Sequence, residues 1–157
     1  MKRKSEYGLQ LAEKQKVRNT YLLREKQFKN YFKKSKNPED IYTFLEFRLD
    51  SVVYRLGIAK TRGLARQLVN HGHIMVNGRK VDIPSAQVRK GDIVSIRPQS
   101  AEKGVFAELT DHLKKYETLK WIKLDRVKRE GEIVGIPSLD EAGMEFNLQS
   151  VMEFYSR

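Results

Sequence analysis

The dipeptide Asn77-Gly78 does more than any other feature to narrow what this chain can fold into. A two-residue β-hairpin loop needs positive φ at both central positions, which Asn and Gly tolerate best. Apolar residues flank it: Ile74-Met75-Val76 before, Val81 and Ile83 after, with Pro84 as a stop. The hairpin is basic just past its tip, at Arg79 and Lys80.

Two helices are expected before this hairpin. Asn37 or Ser35 starts one, with Pro38 at its first position and acids following. Leu45, Leu49, Val52 or Val53, and Leu56 keep helical spacing, and Gly57 ends it. Thr61 is a good cap for the next, from Arg62 to about His71, with Gly72 closing it. Arg62 and Arg66 share a face of that helix, which carries no acid. Such a pair suits bidentate phosphate contacts. Glu46 and Asp50 share a face of the preceding helix, where Arg48 and Arg55 are placed to neutralise them. Lys90-Gly91-Asp92 predicts a turn and residues 93–97 a strand.

The flanks read as mainly helical. Ser5 caps a helix to about Thr20, and a second spans about residues 23–34. In the second, Tyr21, Phe28, Tyr31 and Phe32 gather on one side and Lys26, Lys29 and Lys33 on the other, at about 100° per residue. Residues 105–116 are expected to be helical, and 121–125 and 131–137 extended. Asn147 caps a last helix whose Leu148, Val151, Met152 and Tyr155 form one stripe, expected to dock on the aromatic face of the first helices. The expectation is an α+β fold. A mostly helical lobe comes from residues 1–44 and 99–157. A small lobe of two helices on a short, mainly antiparallel sheet spans 45–98.

Charge directs the functional reading. The net charge is +11, with +9 in residues 1–36, +4 in 37–100 and −2 in 101–157. A polyanion is the usual partner for so basic a chain, and here it should meet the first two-thirds. A solvated face is the alternative for any one charged run. The candidate nucleic-acid contacts are Arg48, Arg55, Thr61, Arg62 and Arg66 on the helix pair. His71, His73, Asn77, Arg79 and Lys80 add the corner and hairpin, and Lys14, Lys16, Arg18, Lys26 and Lys29 the first helices.

Other chemistry finds no footing. Cysteine is absent, which removes disulfides and thiol catalysis. Three histidines without further ligands at short spacing make no zinc motif. Neither phosphate-cradling glycine motif occurs, and no catalytic triad or carboxylate pair is discernible. No catalytic residue, metal, cofactor or small-molecule substrate is expected. No apolar run approaches the roughly 18 residues of a membrane span, and no secretory signal is evident.

The run from Phe47-Arg48-Leu49-Asp50-Ser51 through Val52-Val53-Tyr54-Arg55-Leu56-Gly57 resembles the bacterial small-subunit ribosomal protein S-four family. So do Thr61-Arg62, Ala65-Arg66-Gln67-Leu68-Val69 and His71-Gly72-His73-Ile74-Met75-Val76-Asn77-Gly78. Ser5-Glu6-Tyr7-Gly8, Glu13-Lys14-Gln15-Lys16-Val17 and Glu153-Phe154-Tyr155-Ser156-Arg157 extend the resemblance over almost the whole chain. The middle unit alone also occurs in pseudouridine synthases, a heat-shock RNA binder and tyrosyl-tRNA synthetases, and the flanks separate the ribosomal family from them.

The resemblance implies a cytoplasmic protein of the small ribosomal subunit. Such a protein is a primary binder of the 16S ribosomal RNA 5′ domain that nucleates assembly of the subunit body. It implies contact with ribosomal protein S-five, and with mRNA in the channel through which mRNA enters, with an influence on accuracy. Some family members repress their own mRNA. The basic cluster facing that channel matches Arg3, with Lys2 and Lys4. Family members usually carry a longer N-terminal extension, often with metal-binding cysteines, and this chain begins where that extension would end. The alternatives are a heat-shock or ribosome-rescue module and the accessory module of an RNA-modifying enzyme.

Overall fold

The computed structural model describes residues 5–140 and 146–157. In chain order its helices are α1 (Glu6–Thr20), α2 (Glu25–Lys34), α3 (Pro38–Glu46), α4 (Leu49–Arg55), α5 (Arg62–Asn70), α6 (Leu109–Lys114) and α7 (Leu148–Tyr155). The strands are β1 (Ile74–Val76), β2 (Arg79–Lys80), β3 (Ile93–Ile96), β4 (Ile122–Asp125) and β5 (Glu130–Ile133). The fold is α+β. It divides into a unit built from both chain ends, up to Leu45 and from Ser138, and a unit spanning Glu46–Pro137.

In the terminal unit, side-chain caps start α1, α3 and α7 where the sequence predicts. The Ser5 hydroxyl accepts from the Gly8 N–H at 3.1 Å, and Asn147 Oδ1 accepts from the Ser150 N–H at 3.0 Å. Asn37 Oδ1 accepts from the Asp40 N–H at 2.9 Å, so Pro38 falls at the first helical position. α7 docks on the N-terminal helices as its stripe demands. The Tyr155 ring lies 4.9 Å from Phe32 and 6.1 Å from Phe28, and Phe154 lies 5.6 Å from Tyr7. Val17, Tyr21, Phe28, Phe32, Ile41, Leu148 and Val151 form the core between them.

In the central unit, five antiparallel strands run in the order β2-β1-β3-β5-β4. Asn77 and Gly78 have φ of 52° and 79°, so the hairpin joining β1 to β2 takes the expected left-handed turn. Leu49, Val52, Val53 and Leu56 of the first helix and Ala65, Leu68 and Val69 of the second share a core with Ile74, Val94, Ile96, Ile122 and Ile133 of the sheet. Residues 99–137, expected to join the chain ends, instead supply Phe106, Leu109, Leu113 and Trp121 to this same core, along with β4 and β5.

Two local expectations are corrected. The single helix expected from Pro38 to Leu56 is broken at Phe47–Arg48. Arg48 is extended, at φ −62° and ψ 140°. The segment from Pro84 to Val88 pairs with the chain there: the Leu49 N–H donates to Ala86 O at 2.8 Å and the Val88 N–H to Phe47 O at 2.9 Å. Those bonds take groups that a continuous helix needs for itself. Ile83, expected to continue the apolar side of the hairpin, is 57% exposed, because β2 ends at Lys80.

Candidate nucleic-acid interface

The break at Phe47–Arg48 organises the basic face of the central unit. It turns Glu46 and Asp50 inward, 0% and 5% exposed. A buried carboxylate needs cationic partners. Arg55 meets Glu46 with two parallel hydrogen bonds, Nε to Oε2 at 2.9 Å and Nη2 to Oε1 at 2.8 Å. Arg62 Nη2 lies 3.7 Å from the same carboxylate. Arg48 grips Asp50 through Nε at 3.1 Å and Nη2 at 2.9 Å, and Arg66 Nε donates to Asp50 Oδ2 at 3.3 Å. Arg62 also donates to Ser51 Oγ at 3.1 Å and lies 4.6 Å over the Tyr54 ring.

Four arginines therefore gather on two buried carboxylates. Arg48 and Arg55 do neutralise the two acids as expected, and the structure assigns Arg48 to Asp50 and Arg55 to Glu46. α5 carries no acid, as its sequence shows, but Glu46 and Asp50 reach Arg62 and Arg66 from before and within α4. Arg48 is only 2% exposed, so its guanidinium serves Asp50 rather than an outside anion. Arg55, Arg62 and Arg66 are half-buried. Each guanidinium presents its N–H donors in a fixed fork, and the carboxylate it meets holds that fork in one orientation.

At the other end of α5, Thr61 and the α5 C-terminus obey local rules. The Thr61 hydroxyl accepts from the Leu64 N–H at 3.0 Å and caps the helix. Gly72, at φ 78°, closes it, and a Cβ there would meet Lys80 Cδ at 3.3 Å, so the hairpin lysine lies directly over the glycine. His71, Arg79 and Lys80 are exposed. Asn77 has a structural use beyond its turn: its side chain donates to Asp92 Oδ1 and accepts from the Ile93 N–H, both at 2.9 Å. His73 Nδ1 lies 2.8 Å from Ser100 Oγ, and the ring stands edge-on to Phe106. Burial, then the positive charges of Lys103, His71 and Arg97, hold the His73 imidazole below its ordinary value. Arg97 and Lys103 were missing from the sequence candidates, since only the fold brings them to a histidine more than twenty residues earlier.

In the terminal unit the candidates separate. Lys26 and Lys29 are exposed on the outer side of α2. Lys16 is exposed with its ammonium 5.6 Å over the Phe146 ring. Arg18 donates to Gln15 Oε1 at 3.0 Å. Lys14 is buried and ion-paired with Glu25, so it holds α1 to α2 rather than facing outward. Arg3, with Lys2 and Lys4, lies outside the described residues. Among the described residues no cluster of three or more His, Asp or Glu is arranged to hold a metal ion.

Two family models match in tandem: the ribosomal protein S4/S9 N-terminal domain over residues 1–49, and the S4 domain over residues 47–94. The small ribosomal subunit protein uS4 of Herpetosiphon aurantiacus is 47% identical over 160 residues, covering 98% of this chain and 76% of the relative. The chain belongs to the uS4 family. The uS4 protein of Listeria monocytogenes is 47% identical over 164 residues, covering 99% of this chain and 80% of the relative. That of Syntrophomonas wolfei is 44% identical over 158 residues, covering 98% and 76%. The uS4 likeness thus takes in both flanks as well as the central module, as the motifs quoted from the sequence imply.

Proposed function

We propose that this chain is a non-enzymatic structural component of the cytoplasmic small ribosomal subunit and binds 16S ribosomal RNA there. The observation that carries the RNA-contact surface is the arginine set held on two buried carboxylates, in the same unit as an exposed basic hairpin. Fixed guanidinium groups lose little freedom on meeting phosphates, so more of each contact appears as affinity. Shape and phosphate spacing carry most of the recognition, because the A-form major groove excludes side chains.

Arg55, Arg62 and Arg66 with His71, Arg79 and Lys80 form the central part of the surface. Lys16, Lys26 and Lys29 are the exposed candidate contacts of the terminal unit, taken by itself. Thr61 and Asn77 shape the backbone, and Arg48 and Lys14 hold their units from inside. The finer expectations are binding at the 5′ domain to nucleate the subunit body, contact with ribosomal protein S-five, and contact with mRNA through Arg3. They rest on family membership. Membership across both flanks favours this reading over a rescue factor or an enzyme's accessory module.

Titration of the full chain against a 16S 5′-domain transcript tests the reading. If six to ten phosphates are neutralised, affinity falls by about 10³–10⁵ between 50 and 200 mM salt. A nearly flat salt response would remove the phosphate reading. Arg62→Ala with Arg66→Ala is expected to weaken binding while circular dichroism shows the fold intact; unchanged affinity would move the site elsewhere.

A further inference from the structure

The corner at His71-Gly72-His73 is built in a way that phosphate contacts alone do not explain. His73 sits where α5 turns into β1, and three other segments converge on it. Ser100 Oγ lies 2.8 Å from Nδ1, and Ser100 is itself 2% exposed, so this side of the ring is fixed. Phe106 backs the ring edge-on at a centroid distance of 6.0 Å. His71 stands 6.3 Å away, ring to ring. Lys80 reaches across Gly72 from β2. The charged groups acting on the ring are Lys103, His71 and Arg97, and no carboxylate among the described residues acts with them. Nε2 has no hydrogen-bond partner among the described residues.

We infer that this corner is a single-phosphate site, formed by His73 Nε2 with His71, Lys80, Arg97 and Lys103, and that its occupation draws one proton from solvent onto His73. The inference rests on the RNA-binding reading above and adds a proton to it. In the free protein burial of the ring and the surrounding positive charge disfavour its protonation. A phosphodiester supplies the missing anion. The imidazolium then donates from Nε2–H to a phosphate oxygen and from Nδ1–H to Ser100 Oγ, whose lone pairs can accept. No covalent bond forms or breaks. The proton taken up on binding returns to solvent on release.

The sign follows by linkage. Binding raises the affinity of His73 for its proton, so lower pH favours the complex. One proton sets a ceiling of about tenfold in affinity per pH unit. The phosphodiesters do not titrate in this range, so the pH response belongs to the protein.

The test measures binding of the full chain to a 16S 5′-domain transcript from pH 8 to pH 6 at constant ionic strength. The expected result is affinity that rises by about tenfold over this range, within the one-proton limit. His73→Asn should flatten the response, whereas His112→Gln, on α6 and outside the corner, should keep it. His73→Arg, with its permanent charge, should bind without pH dependence. NMR titration of the His73 ring should show its protonation midpoint move upward on adding the transcript. Salt-dependent binding with a flat pH profile in the wild type would overturn the proton site and leave the RNA reading standing. An unchanged slope in His73→Asn would overturn it by locating the proton elsewhere. Loss of all salt-dependent binding would remove the RNA reading and this inference together.

Discussion

Arg55 and Glu46, nine residues apart, face each other through two parallel hydrogen bonds of 2.8 and 2.9 Å, with the carboxylate fully buried and the guanidinium half-exposed. The pair joins the residue just before the helix break to the last turn of α4. It turns an internal charge into a support for an external one: Glu46 orients Arg55 and Arg62 and is hidden from any approaching anion.

Glu46→Ala removes the buried carboxylate that Arg55 and Arg62 share. Loss of one member of a buried pair costs about 3–5 kcal/mol. Urea denaturation should show this loss. RNA affinity of the protein that remains folded should fall as well, although Glu46 itself repels phosphate. Affinity that rises on removing this acid would show that Glu46 opposes binding and does not organise it.

Gly131 tests the sheet-to-helix packing. A Cβ there would lie 2.0 Å from Leu56 Cδ2 and 3.0 Å from its Cγ, and Leu56 is fully buried. Gly131→Ala should destabilise the central unit by about 1–3 kcal/mol through overpacking. Pairing it with Leu56→Ala should recover part of the loss, so that the two costs are less than additive in chemical denaturation. Additive costs would mean that the two sites do not press on each other.

The hairpin should separate affinity from stability. Arg79 and Lys80 are exposed and make no ion pair among the described residues. Replacing both by alanine should change stability by no more than about 0.5 kcal/mol. It should reduce the slope of log affinity against log salt by about 2, one for each phosphate no longer neutralised. An unaltered slope would exclude the hairpin from the interface.

The terminal unit should respond to acid through Glu25. Burial pushes its carboxyl upward, but hydrogen bonds from Lys14 and Tyr155, with the charges of Lys14 and Arg18, outweigh this and hold it below its ordinary value of 4.5. A lowered carboxyl stabilises the fold above the unfolded value, and that stability is lost as pH falls through the folded one. The Tyr155 hydroxyl is raised by burial and by Glu25, so its contribution holds below the ordinary value of 10.0 and fades only in strong alkali. Glu25→Gln should therefore lower the Tm at pH 6–8, with the difference closing towards pH 3. A difference that persists at pH 3 would assign the loss to packing.

Much of the fold was legible because much of it is locally decided. Ser5, Thr61 and Asn147 cap helices with their own side chains, three residues from the N–H they accept, so a short window contains both partners. Asn77-Gly78 carries its turn in its own φ preference. The stripe on α7 and the aromatic side of α2 announced apolar faces in need of cover. The candidate site was legible only as a set of charges. The continuous apolar spacing from Leu45 to Leu56 concealed a break whose cause lies some forty residues on, at Pro84 to Val88.

Residue order by itself determined where helices start, where the hairpin turns, that the fold is α+β and that the chain carries a polyanion-seeking surplus of charge. These depend on neighbours within a few positions, or on composition alone. Tertiary structure decided which charges are available. It buried Arg48 and Lys14, tied Arg55, Arg62 and Arg66 to two carboxylates, committed Asn77 to Asp92 and Ile93, and gathered Arg97 and Lys103 around His73. Net charge can be read along the chain, but ion pairing and burial depend on distance in space, and residues 84–100 reach Phe47, Arg48 and His73 only once the sheet has closed.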